Sequence, residues 1–279
     1  MITVLTTTYN RVSELSRLYE SLCKQSCLEF KWLVIDDGSD DDTLNYIKKI
    51  SNDSKFEINY EFKKNGGKHS ALNVGFDCID TDWFLILDSD DWLKVDCIEY
   101  LTEQITIYGL DYQSISFLRV DPELNVIGDF NPTNIDNYID RVRLNISGDK
   151  AGVHKTEIAR QYKFPVFKGE NFMSEMPFFL WFGTNYKTKF INYPGYICEY
   201  QADGLSAKIV KNRYINIKST LYVYECMYFT DSYLPFQIRA GINWWRFKIS
   251  QPKIKSERFP NICLYPFGFF LNLRDRFKK

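Results

Sequence analysis

Two periods of hydrophobic and polar positions alternate along the first hundred residues. Residues 2–8 form a β-branched, apolar-rich run that reads as a buried strand. Across residues 11–25, Val12, Leu15, Leu18, Tyr19 and Leu22 recur at helical spacing. Residues 32–35 predict a second short strand. Ser39 followed three residues later by Asp42 is a capping-box signal for a helix carrying Leu44, Ile47 and Ile50 on one face. A strand over 58–62, a helix over 70–78, a strand over 83–87 and a helix from 95 to 107 continue the alternation. Strands that alternate with helices pair in parallel through right-handed crossovers, and such sheets bind ligands at the carboxyl ends of their strands. The polar clusters at 7–10, 36–37 and 88–91 fall at three of those ends and are expected to converge on one cleft.

Beyond residue 110 the pattern weakens. Strands are predicted over 114–120, 151–153, 189–191 and 196–200, helices over 155–162 and 176–182, and a loop over 131–137. From about 205 to 250 the pattern is mostly helical, and the last thirty residues are aromatic and basic.

Composition sharpens this picture. A chain of 279 residues with 45% apolar and 17% aromatic side chains can bury a substantial core, which excludes a disordered chain. Its 35 basic and 36 acidic residues net −1, which argues against a protein that coats nucleic acid. That balance hides an asymmetry: residues 1–234 net −9 and residues 235–279 net +8. Seven cysteines without a CxxC pair, and only His69 and His154, argue against zinc and for reduced thiols in a cytosolic protein. Cys23 and Cys27 are expected on one face at a helix end. Neither a secretory signal nor a run of about 18 apolar residues is seen, so a cytoplasmic protein without a membrane-spanning helix is expected.

The acidic clusters carry the candidate chemistry. Asp88-Ser89-Asp90 follows a buried strand, where one carboxylate can hold a hard divalent cation, Mg²⁺ or Mn²⁺, and the other a ribose hydroxyl. A solvated turn with Asp91 capping the next helix reads the same residues equally simply. Asp36 can accept from a nucleobase or ribose, or belong to a tight turn. Asn65-Gly66-Gly67-Lys68 precedes a helix and suits an anion, but lacks P-loop spacing, and His69 fits a turn as well as a ligand.

In order and spacing, Thr6-Thr7-Thr8-Tyr9-Asn10-Arg11, Leu33-Val34-Ile35-Asp36-Asp37-Gly38-Ser39, Gly66-Gly67-Lys68-His69-Ser70-Ala71-Leu72-Asn73 and Phe84-Leu85-Ile86-Leu87-Asp88-Ser89-Asp90-Asp91 resemble glycosyltransferase family 2, inverting enzymes of GT-A fold. The resemblance implies an α/β fold with a Rossmann-like, mostly parallel sheet flanked by helices. It implies a nucleotide-sugar-binding half over 1–108, an acceptor-binding half over 109–206 and a helical extension over 207–279. Thr8, Tyr9 and Asp36 would line the base pocket, Lys68 would lie near the ribose or diphosphate, Asp88 would face the ribose or donor sugar, and Asp90 would bind Mg²⁺ or Mn²⁺ in a DxD motif. Glu175 would be the catalytic base, with Glu170 as its competitor and Trp181 near the acceptor. The loop 200–206 would cover the diphosphate.

The implied reaction transfers a sugar, from a UDP-sugar by the family's habit, to a hydroxyl of a glycan or lipid-linked acceptor in bacterial surface polysaccharide synthesis. A metal-dependent nucleotidyltransferase and a non-catalytic nucleotide-sugar-binding module are the alternatives. The basic, aromatic segment 235–279 suits an anionic membrane surface, hence a peripheral position on the inner face of the plasma membrane, or a helical pair packed on the catalytic domain.

Overall fold

The computed structural model describes residues 1–199, 209–256 and 258–277. Its first part runs β1 (Ile2–Thr8), α1 (Val12–Cys23), β2 (Phe30–Asp36), α2 (Thr43–Asp53), β3 (Glu57–Phe62), α3 (Lys68–Cys78) and β4 (Trp83–Ile86). There follow β5 (Trp92–Leu93), α4 (Cys97–Tyr108), β6 (Ser114–Val120), α5 (Tyr138–Arg143), β7 (Lys150–Lys155), α6 (Thr156–Ala159), α7 (Met176–Asn185) and β8 (Thr188–Ile197). The helices α8 (Ile209–Ile215), α9 (Ile217–Phe229), α10 (Leu234–Lys248) and α11 (Tyr265–Phe277) complete it.

One eight-stranded sheet has the order β3-β2-β1-β4-β7-β6-β8-β5. β3, β2, β1 and β4 are mutually parallel, β7 is antiparallel to both β4 and β6, β8 is parallel to β6, and β5 is antiparallel to β8. Strand alternation sends Val4, Trp32, Val34 and Leu85 to one face, against Leu15, Leu18 and Leu22 of α1, Ile47 of α2 and Leu101 of α4. Leu5, Leu33, Ile35 and Phe84 face the other way, against Leu72 and Phe76 of α3 and Phe178 and Phe182 of α7. The continuous apolar runs in β1, β2 and β4 follow from this burial on both faces. The helical extension has its own core around Leu221, Trp244 and Phe247, and reaches the main body through Val223 of α9.

Several local expectations change. The capping box at 39–42 does not form: Asp42 sits at the helix start without a side-chain cap, and Ser39 Oγ instead accepts from the Asn10 amide. The helix expected over 155–162 shrinks to α6, and two expected strands merge into β8. Cys27 lies beyond the end of α1, so it shares no helix face with Cys23. Asp91 caps no helix, because α4 begins only at Cys97, after Asp96. Trp181 packs into the aromatic cluster of Tyr162, Phe178 and Tyr186.

Candidate active site

The ends of β1 and β2 are stitched together before any ligand is considered. The Asp37 amide donates to the Thr8 carbonyl at 2.8 Å. Asn10 adopts a left-handed backbone (φ 52°) and its side chain accepts from the Asp40 amide. Asp36 is buried and accepts from Tyr60 Oη at 2.6 Å and the Ser39 amide at 2.7 Å. Burial and the Asp36 carboxylate both push the Tyr60 hydroxyl up, so it stays a donor. Thr8 Oγ1 is buried without a hydrogen-bond partner among the described residues, while Tyr9 is exposed at the rim.

Asp37 shapes the next loop. Its carboxylate accepts from the Gly66 amide (3.0 Å), the Gly67 amide (2.6 Å) and Lys63 Nζ (2.5 Å). Gly67 has φ 87°, and a Cβ there would lie 1.9 Å from the Asn171 carbonyl oxygen. Only glycine fits, because the loop is pressed against the segment leading to Glu175. The next residue, Lys68, opens α3 and places its ammonium 2.5 Å from Asp88 Oδ1 and 2.6 Å from Glu175 Oε1. Burial works against this charge, yet Asp88 and Glu175 outweigh it and hold the amine above its ordinary range.

Around the end of β4, burial alone would raise Asp88, but Lys68 and Arg119 hold it below the usual carboxylate range. Arg119 stacks on Tyr196, 4.3 Å from the ring centre, and reaches within 3.8 Å of Asp88 and 3.9 Å of Asp91. Tyr196 Oη donates to Asp91 at 2.7 Å and accepts from the Asp88 amide. Asp91 is pushed up to about 7 by burial and by the charge of Asp88. Asp90 has its Oδ2 held by Arg11 at 2.5 Å and its carbonyl by Arg17.

The two glutamates separate cleanly. Glu175 immediately precedes α7 and meets Lys68. Glu170 spends its two oxygens on the Lys218 and Ser219 amides, at 2.9 and 2.8 Å, capping α9 from outside the helix. Asn216 Oδ1 accepts from the Asn171 and Phe172 amides, so the segment before Glu175 is tied to the α8–α9 junction. His69 lies inside α3, fully buried beside Phe164, and burial pushes its imidazole down; it is neither in a turn nor at the cleft.

Lys68, Asp88 and Glu175 thus meet, with Asp36 and Thr8 at the neighbouring strand ends. Sequence reasoning places Asp37 in a strand-end cluster without a role of its own, and does not single out Arg11, Arg119 or Tyr196. Arg11 and Asp37 stand within the motifs that carry the family resemblance, whereas Arg119 and Tyr196 come from β6 and β8 and carry no local signal. The loop expected over the diphosphate at 200–206 lies outside the described residues. Among the described residues, no three His, Cys, Asp or Glu side chains are grouped to hold a metal. Asp90 is a hard oxygen donor at a cleft edge, which fits a Mg²⁺ or Mn²⁺ ion that takes its other ligands from phosphate and water, provided Arg11 gives way.

Residues 3–167 match the family model described as "Glycosyl transferase family 2". An uncharacterized glycosyltransferase of Mycoplasma pneumoniae is 34% identical over 120 residues, covering 42% of this chain and 40% of that protein. TarS of Staphylococcus aureus, a poly(ribitol-phosphate) β-N-acetylglucosaminyltransferase, is 30% identical over 98 residues, covering 34% of this chain and 17% of TarS. The match spans 40% or less of the length of the leading curated relatives. A TarS fragment solved with UDP-GlcNAc superposes with a TM-score of 0.64 at 18% identity, over 92% of this chain and 76% of the fragment. The mannosyltransferase PcManGT of Pyrobaculum calidifontis, solved with GDP-Man and Mn²⁺, gives 0.58 at 12% identity, over 100% of this chain and 75% of that one.

Proposed function

The chain belongs to glycosyltransferase family 2, and on that premise we propose that it transfers a sugar from a nucleoside diphosphate donor to an acceptor hydroxyl, with inversion. The observation that carries this reading is the Lys68 bridge, which joins a strand-end acid, Asp88, to the carboxylate Glu175. Asp36 and Thr8 hold the nucleoside beside Tyr9 at the rim, and Asp88 holds the ribose or the donor sugar. Lys68 and Arg119 supply positive charge beside the diphosphate.

Glu175 takes the proton of the acceptor hydroxyl as that oxygen bonds to the anomeric carbon. The bond from that carbon to the diphosphate breaks, and its electron pair leaves on the diphosphate oxygen. One displacement without a protein nucleophile inverts the anomeric centre. Asp90 would hold Mg²⁺ or Mn²⁺, which when bound neutralises the leaving diphosphate.

The donor we propose is a UDP-sugar, with UDP-GlcNAc first because a fold neighbour was solved with it. The acceptor we propose is a glycan or lipid-linked hydroxyl in bacterial surface polysaccharide synthesis, a setting that the name of TarS supports. Thermal-shift titrations of UDP-GlcNAc, other UDP-sugars and GDP-mannose, with and without Mn²⁺, test the donor, since a bound ligand raises the melting temperature by mass action. A shift lost in Asp36→Ala, together with UDP release in the presence of acceptor, is expected. No shift with any donor would overturn the reading, and binding without release would indicate a binding module.

A further inference from the structure

α11 packs on α10 with the opposite polarity from an ordinary surface helix. Its inward stripe is Gly268, Asn272 and Asp275, spaced four and three apart on one face. A Cβ on Gly268 would lie 2.5 Å from Trp245 Cβ. Buried Asn272 donates to the Arg246 carbonyl and Ser250 Oγ, each at 2.8 Å. Asp275 holds Arg246 in a two-pronged ion pair at 2.6 and 2.9 Å. Three phenylalanines are left outside, Phe267 59%, Phe270 67% and Phe277 87% exposed, while Tyr265 packs edge-on against Trp245. Phe259 and Ile262, just before the helix, are exposed too. A helix that points its polar stripe inward and its phenylalanines outward is matched to an apolar surrounding on that outer side.

Charge narrows the occupant. Arg258, Arg274 and Arg276 are exposed on the same segment, Arg258 over the ring of Phe229 and Arg274 3.7 Å from Asp275. Of the two acids in 235–279, Glu257 and Asp275, the latter is already neutralised by Arg246. Among the described residues of 258–277 the exposed charges are arginines alone, which complements an anionic surface. We propose that α11 and residues 258–262 form a docking surface for an anionic bilayer, with phenylalanines at the headgroup boundary and arginines on lipid phosphates. This is narrower than the whole basic segment, because Phe236, Trp244 and Phe247 of α10 are core residues. The surface is separate from the strand-end cleft, so its test does not depend on turnover.

Co-sedimentation of the full chain with phosphatidylglycerol-containing vesicles, against pure phosphatidylcholine vesicles, tests it. The wild type is expected to bind the anionic vesicles at least about tenfold more tightly, less so at high salt. The triple variant Phe267→Ser, Phe270→Ser, Phe277→Ser and the double variant Arg258→Gln, Arg276→Gln, which spares the Arg274–Asp275 pair, should each lose that binding while keeping the melting temperature and nucleotide-sugar binding. Equal binding to both vesicle types, or variants that bind like the wild type, would overturn the proposal. Concentration-dependent self-association that the serine variant abolishes, without vesicle binding, would overturn it in favour of a protein interface.

Discussion

Lys68 Nζ lies 2.6 Å from Glu175 Oε1, tying the first residue of α3 to the residue before α7 across 107 positions of chain. The same ammonium lies 2.5 Å from Asp88, so one cation is shared by two carboxylates that the chain delivers from different elements. Removing it leaves both carboxylates without their nearest counter-charge. Replacing Lys68 with Met should lower kcat/KM by at least about a hundredfold, equivalent to about 3 kcal/mol of transition-state stabilisation. Lys68→Arg should retain part of it. Steady-state kinetics with a saturating acceptor check this; a Met variant as active as the wild type would remove Lys68 from the site.

The two glutamates call for opposite outcomes. Glu175→Gln should reduce turnover by about 10²–10⁴-fold and leave donor affinity unchanged, as expected for loss of a general base. Glu170→Gln weakens the cap on the α9 amides and should cost about 1 kcal/mol of stability, with turnover close to that of the wild type. Kinetics and urea denaturation on both variants separate the roles, and a reversed pattern would make Glu170 the base.

Gly67→Ala meets two obstacles, a φ of 87° and the Asn171 carbonyl 1.9 Å from the new Cβ. The loop must then separate from the 171–175 segment, which displaces Lys68 from Glu175. A lower melting temperature together with a loss of donor binding is expected, measured by thermal shift with and without UDP-GlcNAc. Gly169 also has a positive φ, but a Cβ added there would meet no atom within 4 Å, so Gly169→Ala should cost stability and spare binding.

What could be read from the chain follows the range of the interactions. β1, β2 and β4 announce themselves, because each apolar run is buried on both faces and stops at a polar cluster, whereas the edge strand β3 shows only the alternation of Ile58 and Tyr60. The acids Asp36 and Asp88 follow from that local rule. The capping box at 39–42 misleads because Asn10, from the neighbouring strand end, claims Ser39. Arg119 and Tyr196 join Asp88 through antiparallel and late-pairing strands that no local pattern indicates. In the extension, composition makes all aromatic residues alike, and only packing divides Trp244 in the core from Phe270 outside.

The pH dependence of stability has a definite source in His154. It sits on β7 with the rings of Phe84, Phe178 and Phe182 at 5.6, 5.9 and 5.4 Å. Burial pushes its imidazole down to about 3, from 6.5 in an unfolded chain. Between those values the unfolded chain binds a proton that the native protein refuses. Stability is therefore fully present above about pH 6.5 and lost as pH falls, by up to about 1.4 kcal/mol per unit. His154→Leu removes this proton linkage but leaves every other titrating group in place. The wild type should lose about 2 kcal/mol relative to that variant between pH 7 and pH 5, read from urea unfolding at both values. A difference that does not change with pH would mean that His154 titrates alike in the folded and unfolded chains.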